Sequence, residues 1–226
     1  MCKFWLYLMA IPKSFIFNLR YFQLKQALRF PVIVCHRVRL SKLKGQVLIP
    51  RDTSVATIRI GFGDVEHFDQ ARSRTIWNVA GTVKFNGRAK LGHGCKIIVK
   101  KDAELTFGNR FNLSAESSII CHKSISFGDY NLVSWGVVFL DTDQHDIFDV
   151  DGHILNPPKP IILNDSVWIA CRSTILKGSV IAADSIVAAG SVVSGKLIEP
   201  NCVYGGNPVS CLKKGIHWDS SVRDYI

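Results

Sequence analysis

Asp141, Asp143 and His145 alternate along a polar stretch of the chain, two residues apart. In an extended segment that spacing sends all three side chains to one side. An imidazole titrates near neutral pH, so it suits removal of a proton from a weak nucleophile such as an alcohol. A neighbouring carboxylate would fix its tautomer and stabilise the imidazolium that forms. Asp143 is the favoured orienting residue and Asp141 the other candidate. The plain alternative is a solvated histidine in a polar loop.

The other histidines offer less. His153 shares the polar stretch and reads as solvated. His93 and His122 read as corner or face residues of regular structure, and His36, His67 and His217 have no partner in sequence. Cys121 and Cys171 could face a groove, but no Cys–His spacing marks either as a nucleophile, and small apolar packing accounts for both. The seven cysteines contain no C-x-x-C pair, and their odd number argues against a secreted disulfide framework. Free thiols in a reducing, cytoplasmic compartment are the expectation.

The elements that must position these residues announce themselves by a period of six. From Ile161 the chain reads IILNDS, VWIACR, STILKG, SVIAAD, SIVAAG, SVVSGK. The third place is always aliphatic: Leu163, Ile169, Ile175, Ile181, Val187, Val193. The next is mostly small, and the first becomes Ser173, Ser179, Ser185 and Ser191. This spacing fits neither an α-helix nor a simple amphipathic strand. It fits a short strand and a corner, repeated, with the aliphatic in the bore, the small residue at the bend and the serine filling space between aliphatics. Three units close a triangular coil, and stacked coils bury a continuous core through nearest-neighbour contacts. Upstream, Phe85 and Leu91, Phe107 and Leu113, and Phe127, Val133 and Phe139 keep the spacing, with a slip near Ile119 and Ile120. Residues 141–160 are polar, acidic and carry Pro157, Pro158 and Pro160, so they should leave the coil as a loop.

The chain has 226 residues, enough for one domain with a real core, and 47% apolar against 20% charged residues excludes wholesale disorder. It contains no run of 18 uninterrupted apolar residues, so no ordinary membrane span is expected. The net charge of +10 sits entirely in residues 1–51, which hold ten Lys or Arg and no acid; the remainder balances at 18 and 18. That quarter is also aromatic, with Phe4, Trp5, Tyr7, Phe15, Phe17, Tyr21, Phe22 and Phe30. Ser14 is placed to cap a helix from about Phe15 to Arg29, stopped by Pro31. Basic residues among large aromatics suit contact with an anionic membrane surface; the alternative is a helix packed on the coil with its charges in solvent. No nucleic-acid partner is expected, because the basic residues form no recognisable reading motif.

Residues 160–214, and within them VWIA (167–170), ILKG (175–178), AAGSVV (188–193) and GNPV (206–209), resemble the hexapeptide-repeat acyltransferases. The stretch FLDTDQHDIFDVDGHILN, residues 139–156, is similar to the loop of members that O-acetylate sugars of capsular polysaccharide or lipopolysaccharide. The resemblance implies an all-β chain, a left-handed parallel β-helix with a short helical basic amino-terminal segment. It implies transfer of an acetyl group from acetyl-CoA directly to a saccharide hydroxyl, with His145 as general base and no metal. It also implies a homotrimer whose sites lie between subunits. By the same match Cys171, Ala189, Ser194, Lys196, Lys213 and Lys214 would meet the coenzyme, and Trp168 would wall the acyl or acceptor site. Ser194-Gly195-Lys196 departs from the family's pattern, as do Ala170, Ala182 and Ala188 where a glycine is usual.

The expected organisation is residues 1–50 as a basic aromatic segment, partly helical; 51–80 as a lead-in; 81–205 as β-helix with a loop at 141–160; and 206–226 as a carboxy-terminal tail. The enzyme would be cytoplasmic and peripheral at the inner membrane face. Two other readings stand beside it. A non-catalytic β-helical scaffold binding a saccharide or partner would need no coenzyme, and acetyl-CoA would not raise its melting temperature. A γ-class carbonic anhydrase-like enzyme would need three metal-binding histidines, which His122, His145 and His153 do not supply at the right spacing.

Overall fold

The computed structural model describes residues 3–63 and 65–219; residues 220–226 of the expected tail lie outside the described residues. Short strands are dealt in strict rotation to three parallel sheets, so the chain winds around a triangular bore. Face 1 opens with Val32–Val34, face 2 with Arg39–Leu43 and face 3 with Gln46–Leu48. Among the described residues the three faces hold nine, seven and seven strands.

The bore residues pair in register from coil to coil. On face 2 the column runs Trp77, Ile97, Ile119, Phe139, Ile175, Val193. On face 3 it runs Phe85, Phe107, Phe127, Leu163, Ile181, Leu197. Phe85, Phe107 and Phe127 stack with centroids 4.9 and 5.6 Å apart. Each such buried side chain is worth about 1.5–3 kcal/mol, and the ladder is the core. The four periodic serines are fully buried, and their hydroxyls answer carbonyls inside the bends: Ser179 Oγ donates to Leu176 O at 2.6 Å. Small residues at the bends are needed where coils touch. A Cβ on Gly108 would lie 2.1 Å from Gly128 O.

The coil begins well before the expected boundary at residue 81. Val32–Val34 pairs with Ile58–Ile60, which pairs with Ala89–Leu91. The expected lead-in, 51–80, therefore contains coil strands, including Ile76–Val79, and one excursion between Ile60 and Ile76.

The expected helix from Phe15 to Arg29 is corrected to two: α1 (Lys3–Tyr21) and α2 (Leu24–Ala27). Ser14 is not a cap. It lies buried in the middle of α1, where its Oγ donates to Ala10 O at 2.8 Å and accepts the N–H of Val34 at 2.8 Å. Asn18 Nδ2 donates to Val32 O at 2.7 Å. The first strand has a free edge that a partner strand would otherwise claim, and these two side chains close it. Phe17, fully buried, plugs the bore against Trp77, with ring centroids 5.3 Å apart. At the other end Val209–Lys214 folds back antiparallel on Cys202–Gly206.

Candidate active site

Residues 141–160 leave the coil where face 2 ends in Val138–Leu140 and return as face 3 resumes in Ile161–Leu163. The neck of this loop is rigid. Asp141 is fully buried; its two carboxylate oxygens accept the N–H groups of His122 and Lys123, each at 2.7 Å. Its own carbonyl accepts the N–H of Lys159 at 3.0 Å. This corrects the candidacy of Asp141 as the residue orienting His145: its carboxylate is consumed by the preceding bend.

Asp143 sits at the loop surface. Lys177, from the next coil, ion-pairs with it, and Asn156 Nδ2 donates to the same oxygen at 2.8 Å. These hydrogen bonds, Lys177's first, hold its carboxyl below the usual carboxylate range. Asn156 is the hub. Its Nδ2 also donates to His145 O at 2.9 Å, its Oδ1 accepts the N–H of Ile147 at 2.6 Å, and its carbonyl accepts from Lys177 Nζ at 2.9 Å. The backbone at His145 is thus pinned from the opposite strand of the loop, while the imidazole is exposed. Among the described residues neither aspartate bonds to that ring, so the expected Asp–His pair is not formed within one chain. Asn156 and Lys177 were missed in the sequence. They carry no chemistry of their own, and only the fold shows that they meet Asp143.

The residues expected at the coenzyme divide between corners. Cys171 and Ala189 occupy equivalent places one coil apart at the bend from face 1 to face 2, where Gly190 N donates to Cys171 O at 3.0 Å. Among the described residues neither the Cys171 nor the Ala189 N–H donates a hydrogen bond, so both amides are available. Ser194 and Lys196 are exposed at the bend from face 2 to face 3, the bend from which the His145 loop departs. Lys213 and Lys214 lie on the last strand, opposite Val203 and Cys202 near the bend from face 3 to face 1. Lys214 is held by Glu199 at 2.7 Å, which raises its pKa. Trp168 stands outward on face 1, half-buried, its Nε1 donating to Ser134 Oγ at 3.2 Å and its ring tilted on Trp218 at 6.0 Å.

The side of the triangle between Cys171 and Lys177, six residue steps, spans at most about 20 Å at strand rise. His145 and the two free amides therefore mark opposite margins of face 2. A second feature points beyond one chain. The loop tip, a turn closed by the Phe148–Ile154 bridge, leaves Ile147, Phe148, Val150, Ile154 and Leu155 exposed.

The histidines do not gather. His67 packs its ring on Trp135, His93 is buried, and His153 bonds to Asp149 within the loop at 3.2 Å. Among the described residues Asp149, Asp151 and His153 form the single cluster of metal-binding types. Asp149 Oδ1 there accepts the N–H groups of Asp151 and His153, each at 2.9 Å, as an ordinary turn does.

The comparisons with known proteins agree with a triangular coil built on a six-residue period. The chain is similar in sequence and fold to hexapeptide-repeat acetyltransferases. It is 30% identical over 124 residues, 54% of its length, to the polysialic acid O-acetyltransferase of Escherichia coli O1:K1 / APEC; the match spans 40% of that relative. The crystal structure of the polySia-specific acetyltransferase NeuO superposes with a TM-score of 0.65 at 21% identity, covering 84% of this chain and 80% of that one. AntD, an N-acyltransferase from Bacillus cereus solved as a point mutant with dTDP and coenzyme A, superposes with a TM-score of 0.51 at 15% identity, covering 86% and 90%. These likenesses establish the left-handed parallel β-helix fold. No family model matches.

Proposed function

We propose that this chain is an O-acetyltransferase that moves an acetyl group from acetyl-CoA to a hydroxyl of a saccharide, in a surface polysaccharide or its precursor. The observation that carries this reading is the loop 141–160: a buried neck at Asp141 and a hub at Asn156 present His145 from one corner of a coil of the acyltransferase type. The similarity to a polysialic acid O-acetyltransferase supports the saccharide acceptor, and coenzyme A in the AntD structure supports the donor.

In this reading the His145 imidazole takes the hydroxyl proton as the oxygen attacks the thioester carbonyl. The tetrahedral adduct collapses, the C–S bond breaks, and the imidazolium returns its proton to the departing thiolate. The amides of Cys171 and Ala189 suit carbonyls of the donor's pantetheine arm. Ser194, Lys196 and Lys213 offer exposed polar and cationic groups for the rest of the coenzyme, Lys214 after release from Glu199; lysine meets phosphate as a point charge. Trp168 would wall the acyl site. Because His145 and the free amides lie across face 2 from each other, the complete site joins two chains, and a homotrimer supplies three such sites. The apolar loop tip suits the neighbouring coil. In the assembled site Asp143 is the carboxylate near enough in sequence to steer the imidazole, working through the loop backbone.

A thiol-release assay with acetyl-CoA and a panel of purified saccharides tests the reading. His145→Ala should lower turnover by roughly 10²–10⁴, the usual worth of a general base, with the fold unchanged because the ring is exposed. Equal turnover in the two proteins would overturn it.

A further inference from the structure

Helix α1 is built inside out. The side it turns to the coil carries Ala10, Ser14, Phe17 and Asn18, with Lys13 donating to Val38 O at 2.6 Å. The side it turns outward carries Phe4, Trp5, Leu8, Met9, Phe15, Ile16 and Leu19, with Phe4 68%, Trp5 57% and Ile16 56% exposed. On a helical wheel these form one continuous stripe, and Pro12 lies within it. A surface helix facing water alone would show the opposite pattern. Nor is rotation open to it: Ser14 and Asn18 close the edge of the first strand, and Phe17 fills the bore. The stripe stays outside.

We propose that this outward face of α1 lies in the surface of an anionic lipid bilayer. Charge argues for this occupant over a second copy presenting the same face, and the oligomeric state without lipid reads out contact with any other face of a neighbour. Arg20, Lys25 and Arg29 are exposed along α1, α2 and the turn after it, interleaved with exposed Leu24 and Leu28. The first acid in the chain is Asp52. Apolar side chains flanked by uncompensated cations match acyl chains beneath anionic headgroups, whereas two such faces together would oppose like charges. Among the described residues no helix is long and apolar enough to cross a membrane. Since α1 lies strapped across the end of the coil, only its outer stripe enters the lipid. The inference is independent of the acetyl transfer and of His145.

Co-sedimentation of the full chain with vesicles tests it. Phosphatidylcholine vesicles carrying roughly a third phosphatidylglycerol should bind the protein, and pure phosphatidylcholine should bind it at least about tenfold more weakly. Trp5→Ser, Leu8→Ser and Ile16→Ser together remove outward side chains only and should lower the partition by on the order of tenfold or more. Arg20→Gln, Lys25→Gln and Arg29→Gln together leave the apolar stripe whole and should abolish the preference for the anionic vesicles; this variant decides the matter if the first does not fold. The proposal is overturned if the wild type ignores anionic vesicles, or if a folded triple variant binds them as well as wild type does. It is also overturned if the serine variant changes the oligomeric state in light scattering without lipid, which would give the face to a second copy.

Discussion

Asp141, fully buried, accepts the backbone N–H of His122 at 2.7 Å across one coil. Its other oxygen accepts Lys123 N–H at 2.7 Å. A carboxylate that alternates with a histidine in sequence thus belongs to the scaffold, four residues before the ring it was matched with. Asp141→Ala removes two charge-assisted hydrogen bonds to the part-buried amides of His122 and Lys123 and should cost about 2–3 kcal/mol, read as a lower melting temperature. Asp141→Asn keeps one acceptor and should cost less. Turnover per folded molecule should fall far less than in His145→Ala. An unmoved melting temperature in Asp141→Ala would remove the residue from this role.

Lys177 governs the loop from the next coil. Its hydrogen bond, with that of Asn156, lowers the Asp143 pKa. A carboxyl depressed in the folded chain contributes above its unfolded pKa and is lost only as pH falls through the lowered folded value. The tether therefore persists throughout the neutral range, and an inflection there in the rate belongs to another group. Lys177→Met should release the loop and lower kcat/KM by about tenfold or more through misplacement of His145, while the coil melts as before. Its Asp143 should titrate closer to an ordinary aspartate, a shift visible by NMR, and an unmoved Asp143 would take Lys177 out of this tether.

The period of six was unbroken where the coil is shortest and legible with slips of register upstream, from Phe85 to Phe139. From Ile175 to Val193, and from Ile169 to Val187, one coil takes 18 residues, three sixes. From Ile119 to Phe139 it takes 20, and from Ile97 to Ile119 it takes 22, because strands such as Ser118–Cys121 place two residues in the bore. From Ile60 to Leu91 it takes 31, with the excursion between Ile60 and Ile76 included. Unequal coils erase a fixed spacing, so the strands before residue 81 went unseen. The histidine loop was legible because it interrupts a regular pattern with prolines and acids. Asn156 and Lys177 were not, since their meeting with Asp143 depends on how two separate bends stack. Ser14 misled for a local reason: a serine before an apolar run is a capping signal, and here a strand edge claims it instead.

Thiol chemistry offers a check on the coenzyme slot. Burial pushes the Cys95 thiol up to about 12, and it also raises those of Cys121 and Cys35. Those three should resist a thiol reagent in the native protein, because the thiolate is the reactive species. Cys171 is partly exposed and Cys211 exposed, so both should react. Acetyl-CoA should slow labelling of Cys171 and leave Cys211 unprotected, as peptide mapping would show. Equal labelling of Cys171 with and without acetyl-CoA would take that corner out of the donor site.

His145 and the amides of Cys171 and Ala189 lie at different corners of one chain, and mixing experiments can test whether one site uses both. His145 departs from the bend between faces 2 and 3, while Cys171 and Ala189 lie at the bend between faces 1 and 2. If each active site takes the imidazole from one chain and the free amides from its neighbour, two different inactive variants can repair one another. His145→Ala removes the base, and Cys171→Trp fills the corner where the donor would lie. Each alone should be inactive as a homotrimer. Unfolded and refolded together in equal amounts, they should regain about a quarter of wild-type turnover, the share of junctions in a cyclic trimer that receive an intact His145 from one chain and an intact corner from the next. A site contained within a single chain predicts no recovery, because every chain in the mixture would carry one of the two lesions.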